Sequence, residues 1–221
     1  MKRLRIKFLI VIVVSLLPHT SFSAEHYKAG DKLYVAPTSG MNLRTAPSLS
    51  APIIRKLDFN MVVTVQPDSL PATPAQIKVS DFNEGNLLLK GSWVKVSAKG
   101  VTGYAFDGML SRYPGIPLKI IQEESYLPTL FGAPVVKNQK RSSVIEGHKI
   151  SYETKTTTYP KVLVMKSTFL DDCYNEEYTF TTTFNEAYWL IARMMRYADA
   201  AQDTKIMKTA SGAKITFYSC T

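Results

Sequence analysis

Two cysteines and three histidines are the whole supply of thiol and imidazole in 221 residues. Their placement decides which chemistries the chain can attempt. A catalytic zinc takes about three side-chain ligands, mostly histidine. Here His19, His26 and His148 stand singly, with no His-x-His, His-x-x-x-His or Cys-x-x-Cys spacing. Zinc hydrolysis is disfavoured, and no metal or other cofactor is expected. A Cys–His peptidase would have to combine Cys173 with His148. Cys173 lies in Asp171-Asp172-Cys173-Tyr174-Asn175-Glu176-Glu177, and four nearby acids oppose the thiolate that a nucleophile needs. A Ser-His-Asp site meets the same shortage of histidine and lacks Gly-x-Ser-x-Gly. The doublets Glu123-Glu124, Asp171-Asp172 and Glu176-Glu177 could in principle supply a general acid and base. Neighbours on a strand point to opposite faces, however, so such doublets read as solvated charge. The expectation is a binding protein with no catalytic residues.

Elements that could present a binding surface follow from periodicity. Phe184, Tyr188, Ile191, Met195 and Ala198 recur at steps of four and three, so residues 184–201 are expected to form an amphipathic helix. Thr183 or Asn185 can cap its start. Its polar side carries Glu186, Trp189, Arg193 and Arg196. Trp and Arg are over-represented at binding hot spots, so Trp189, Arg193 and Arg196 form one candidate surface. The competing reading has Trp189 closing the edge of a core with Arg193 stacked upon it.

The first residues read as an export signal. Lys2, Arg3, Arg5 and Lys7 precede an apolar run from Phe8 to Leu17, and Ser21 and Ser23 supply small residues before a cleavage point after Ser23 or Ala24. Ten apolar residues are half of the roughly 20 that a membrane span needs. No cysteine follows for lipid attachment, so no membrane anchor is expected and the mature chain should be periplasmic or secreted. Removing residues 1–23 leaves 221 − 23 = 198 residues and takes away four basic ones, so 23 basic face 18 acidic residues for a net +5. That charge is mild and spread along the chain, unlike the concentrated patch of a nucleic-acid binder. In an oxidising compartment Cys173 and Cys220 read as a disulfide.

Residues 31–112 read as all-β. Leu33 and Val35 alternate with polar neighbours, and Ile53–Leu57, Val62–Val65, Trp93–Val96 and Gly103–Phe106 are short β-branched or aromatic runs between turn residues. The stretch 67–90 is long for a loop and reads as an inserted hairpin, with Asn83-Glu84-Gly85-Asn86 at its tip. The string GMNLRTAPSLSAPIIRKL at 40–57 resembles the opening of bacterial SH3-like (SH3b) domains, and GSWVKVSAKGVTGYAFDGML at 91–110 resembles their close. Tyr104 stands where that family usually has Trp. The resemblance implies a small β-barrel that binds cell-wall peptide, a partner protein or a neighbouring domain. Tyr34, Tyr104 and Phe106 are the candidate aromatic floor of its groove, with Asn42 supplying hydrogen bonds. Arg44 is expected to tie down the loop that follows it.

A linker, Tyr113-Pro114-Gly115-Ile116-Pro117, should lead to a second unit at 118–221, for which no family suggests itself. Residues 125–132 suggest a helical turn or docking segment, and Lys137 to Ser143 an exposed basic loop. Residues 149–157, 162–169 and 178–183 are strand-like, and 205–209 with 213–218 form a closing hairpin. The unit should be α+β, an antiparallel sheet with one helix against a face.

Overall fold

The structure, a computed structural model, describes residues 27–68, 72–79, 87–120, 123–145, 147–170, 173–194 and 204–220. The export signal expected at 1–23, the hairpin tip at 83–86 and Arg196 lie outside them.

Seven short strands and one long one build the first sheet. They are β1 (Lys32–Val35), β2 (Met41–Arg44), β3 (Ile53–Leu57), β4 (Val62–Val65), β5 (Thr73–Val79), β6 (Leu87–Ala98), β7 (Val101–Phe106) and, after a 3-10 turn at Asp107–Met109, β8 (Leu110–Ser111). The strand order is β3-β2-β7-β6-β4-β1-β8, with β5 on β6. Period-two alternation turns Leu33 and Val35, Met41 and Leu43, and Val63 and Val65 inward, where they meet Leu57, Val96, Ala105 and Leu110. Crowding requires glycine at several positions, Gly40 and Gly103 among them. Gly40 has φ +74, and a Cβ there would collide with the Leu57 carbonyl. A Cβ on Gly103 would lie 2.7 Å from the Arg44 carbonyl oxygen and 2.9 Å from Leu43 Cγ. The expected insertion is the hairpin arm β5 paired with the first half of β6, from Thr73↔Trp93 to Val79↔Leu87. It is continuous with the barrel because β6 runs on through both.

The second sheet contains β9 (Val135–Ile145), β10 (His148–Tyr159), β11 (Leu163–Leu170), β12 (Cys173–Phe180), β13 (Lys205–Thr209) and β14 (Gly212–Cys220), in the order β13-β14-β12-β11-β10-β9. Helices α1 (Glu123–Phe131) and α2 (Phe184–Met194) cover one face. The expected α+β unit is therefore present, with two differences of detail. The basic stretch 137–143 is strand, not loop: β9 pairs with β10 residue for residue from Val135↔Thr158 to Ile145↔His148. Its lysines mark a sheet edge, where charge discourages further pairing. The helix expected over 184–201 runs from Phe184 to Met194, and 195–203 lie outside the described residues.

Helix α2 is also shared. Ala187, Leu190, Ile191 and Met194 pack into the second core, whereas Tyr188 belongs to the barrel core with Phe184, Trp189 and Ala192 against it. Residues 113–117 do connect the two sheets, but they are docked rather than loose. Ile116 is fully buried in the second core, and Asn60 closes a pair of hydrogen bonds with the Gly115 backbone at 2.8 and 2.6 Å.

Candidate functional site

The outer face of the barrel carries part of the expected groove. Register places Arg44 beside Tyr104, Tyr104 beside Lys95, and Asn42 beside Lys56. These side chains point away from Met41, Leu43 and Ala105, which are buried. Arg44 Nη1 donates to the Ala51 carbonyl at 2.6 Å, so it ties down the loop after β2 and leaves Tyr104 and Asn42 as the polar, reachable part. The Tyr104 phenol is held above its ordinary range, first by desolvation and then by a hydrogen bond and charge from Asp68. Asp68, shortly after β4, thus lies beside the ring. Edge strand β3 lies next to β2, with Ile53 and Ile54 exposed.

The other two expected groove residues are elsewhere. Tyr34 is half-buried on β1, three strands from Tyr104 in the order β7-β6-β4-β1. Phe106 is 1% exposed, set edge-on to Trp93 at 6.3 Å and closely approached by Gly91 and Gly108. An aromatic ring there gains about 1.5–3 kcal/mol by burial, so Phe106 belongs to the core and not to a groove floor.

Of the candidate surface on α2, the two described residues, Trp189 and Arg193, turn inward. Trp189 donates Nε1–H to the Gly108 carbonyl at 2.8 Å, and Tyr188 meets it edge-on at 4.9 Å. Arg193 is 3% exposed and donates from Nη2 to the carbonyls of Pro117 and Ile120, both at 3.0 Å. Asn185 Nδ2 donates to the Lys90 carbonyl at 3.0 Å. These groups face backbone carbonyls of the barrel and the connecting segment, which is why polar residues sit on a buried helix side. At the helix start Thr183 and Glu186 cap each other: the Glu186 N–H donates to Thr183 Oγ1 at 3.2 Å, and the Thr183 N–H to Glu186 Oε2 at 3.4 Å.

Glu186, fully buried, was not singled out by the sequence as more than a polar-face residue. Its carboxylate accepts from the Arg112 backbone N–H at 2.7 Å, Arg112 Nη1 at 3.3 Å, the Tyr27 hydroxyl at 3.4 Å, and the hydroxyls of Thr182 and Thr183. The Arg112 guanidinium also lies over the Tyr27 ring at 4.6 Å. Tyr113, close by, has its phenol pushed up by burial and by the Glu186 charge. The cluster joins α2 to both ends of the barrel chain. The Thr-x-x-Glu spacing at 183–186 was its one sequence signal.

The residues weighed for chemistry are distributed as follows. Glu176 and Glu177 point to opposite faces of β12, as adjacent strand residues must. Glu176 is buried and accepts from Ser167 at 2.9 Å, whereas Glu177 pairs with Lys214 at 2.6 Å and Lys166 at 3.7 Å. The Lys214 hydrogen bond holds the Glu177 carboxyl below its usual range. Cys173 and Cys220 stand directly opposite on neighbouring antiparallel strands, and no described cysteine is free. Asp171 and Asp172 lie outside the described residues. No group of three or more His, Cys, Asp or Glu among the described residues is placed to hold a metal, and no described helix is long and apolar enough to cross a membrane.

The face of the second sheet opposite α2 is the surface that sequence reading missed. A cavity of about 390 Å³ opens there, lined by Arg141 and Ser143 on β9, Tyr152, Thr154 and Thr156 on β10, and Lys166, Thr168 and Leu170 on β11. The alternating threonines 154, 156 and 158 were its only signal.

The short-stranded barrel is the part of the chain that a family model covers. Residues 39–111 match the family model described as the bacterial SH3 domain. The match spans 73 of the 221 residues and coincides with the barrel, and residues outside it are not covered by that family. No curated protein and no solved structure matches the chain.

Proposed function

We propose that the chain is an exported, non-catalytic binding protein of the bacterial envelope. Its SH3 domain takes up a short extended peptide of the cell wall or of a partner protein. The observation that carries this reading is the bacterial SH3 domain at 39–111, with Asn42 and Tyr104 on neighbouring strands beside the exposed edge strand β3. A peptide lying along β3 gains main-chain hydrogen bonds from the strand edge and orientation from Asn42 and the Tyr104–Asp68 pair. A groove of this size gives micromolar or weaker affinity. The charged and apolar order of residues 1–23 supports export to the periplasm. The facing positions of Cys173 and Cys220 support a disulfide formed there.

Co-sedimentation of the mature protein with purified cell-wall sacculi tests the reading. Wild type should pellet, and Tyr104→Ala and Asn42→Ala should reduce pelleting with little change in thermal midpoint. Phe106→Ala should instead unfold the barrel at lower temperature. Release of soluble wall fragments would overturn the non-catalytic reading. A soluble envelope protein bound through Tyr104, with sacculi left in the supernatant, would favour an inhibitor or immunity-type role.

A further inference from the structure

The open face of the second sheet has a composition that the barrel reading leaves unused. Cross-strand register makes the cavity continuous over three strands: Tyr152 faces Arg141, Thr154 faces Thr168, and Thr156 faces Lys166 on one side and Lys137 on the other. All of these alternate with Tyr159, Leu163 and Met165, which point to the covered core. The floor is hydroxyl. Thr154 is 9% exposed, and its hydroxyl shares a hydrogen bond with that of Thr168 at 3.3 Å. The rim is cationic, since Arg141 and Lys166 are exposed. Over the wider face Lys137, Arg141, Lys166, Lys205 and Lys214 stand against one acid, Glu177, among the described residues. Glu177 gives its shorter contact, 2.6 Å, to Lys214 and only 3.7 Å to Lys166. The volume falls within the roughly 300–1,000 Å³ of ordinary ligand sites, and hydroxyls and cations share its lining with the apolar surface of Tyr152 and Leu170.

We propose that this face is a second binding site, for a carboxylate-bearing polysaccharide laid across β9–β11. Arg141 would meet a sugar carboxylate through its planar fork of donors, and Lys166 would meet the next as a point charge. Threonine and serine hydroxyls both donate and accept, as a sugar's hydroxyls require. Tyr152 offers an amphipathic ring at the floor's edge. A single-stranded nucleic acid fits less well, because successive bases need a row of stacking aromatics and Tyr152 is the one aromatic lining this cavity. The inference is independent of the SH3 reading, since it uses no residue of the barrel.

Titration calorimetry of the full mature chain with oligogalacturonate tests it, beside a neutral cello-oligosaccharide and oligo-dT. Binding should be confined to oligogalacturonate and should weaken with added salt. Arg141→Ala and Lys166→Ala should each weaken it about tenfold, equal to about 1.4 kcal/mol, with thermal midpoints unchanged because both side chains are exposed. Thr154→Val, which keeps shape and charge, should weaken it severalfold. Tyr104→Ala should leave it unaltered, which separates this site from the barrel's. Oligo-dT bound as tightly as oligogalacturonate would overturn the proposal in favour of a general polyanion surface. The neutral oligosaccharide bound equally well, or no heat with any ligand at millimolar concentration, would also overturn it.

Discussion

The two sheets dispose of their faces differently. The barrel curls until one side is interior, and its outward positions mix polar or half-buried groups such as Asn42, Arg44 and Tyr104 with exposed Ile53, Ile54 and Val62. The second sheet stays open, borrows α1 and α2 for one face, and leaves the other to threonine, lysine and arginine. A curved small sheet can bury most of its apolar side by itself, while a flatter one needs helices. What unites them is that α2 serves both. The barrel's end, at Phe106 and the Asp107–Met109 turn, is finished by Tyr188, Trp189 and Asn185 from 80 or more residues away. The halves should accordingly behave as one cooperative unit in stability, and as two separate surfaces in binding.

The strongest way to break that comparison is Glu186→Ala. It takes the acceptor from two threonine hydroxyls and the Arg112 backbone N–H around a buried hole, and a buried polar group left unpaired costs about 1–3 kcal/mol. The Arg112 guanidinium is 44% exposed, so water can replace its partner. Urea unfolding followed by Trp93 and Trp189 fluorescence and by circular dichroism should show one transition moved to lower denaturant. Two separated transitions would mean that the halves are independent after all.

A disulfide between Cys173 and Cys220, as proposed above, would tie the last strands of the second sheet. The closed loop of roughly 50 residues would contribute about 4 kcal/mol in the chain-entropy account. Denatured mature protein should show no reactive thiol before reduction. Reduction should then lower stability by about 2–4 kcal/mol, and the barrel should follow only through α2. Two reactive thiols without reductant would remove the bond and return Cys173 to consideration as a nucleophile.

The smallest effect sharpens the account of the open face. Glu177 has a depressed carboxyl, first through its hydrogen bond with Lys214. Its contribution is present above the unfolded value of 4.5 and is lost as pH falls through the lower folded value. Partial exposure keeps it under about 1 kcal/mol. Glu177→Gln should therefore cost a little stability at pH 7 and nothing in strong acid, measured by paired melts. A difference that persisted in acid would point to packing instead of charge.

Much of the fold was legible because it rests on local alternation. Leu33 with Val35 and the Gly40 turn announce the barrel at short range, and the hairpin insertion shows in its length and prolines. The helix was legible in its apolar stripe, but its surroundings were not. Trp189, Arg193 and Glu186 look like a solvent side to any periodicity, because hydrogen-bonding capacity reads as exposure until a second partner for the helix is known. Phe106 failed for a related reason: its strand neighbours suggest an outer position, and it is the close approach of Gly91, Trp93 and Gly108 that encloses it. The stretch 137–143 was hidden by its lysines, which are as natural on a sheet edge as in a loop. The hydroxyl floor of Thr154, Thr156 and Thr168 depends on the pairing of β10 with β11, and spacing within one strand cannot state it.

The sharing of α2 also sets an order of events in time. A chain leaving a ribosome or a translocation channel by its N-terminus has every barrel strand available once Ser111 emerges. The residues that pack on the barrel's end and accept from Tyr27 are still at 184–194, and the Tyr27–Glu186 contact spans 159 positions. Contacts this distant in sequence slow folding, because a long loop must close before anything is gained. The N-terminal barrel would then wait, half-finished and with aromatic surface uncovered, until nearly the whole chain had arrived. A binding face on β2 and β7 would become competent last, although it is synthesised first.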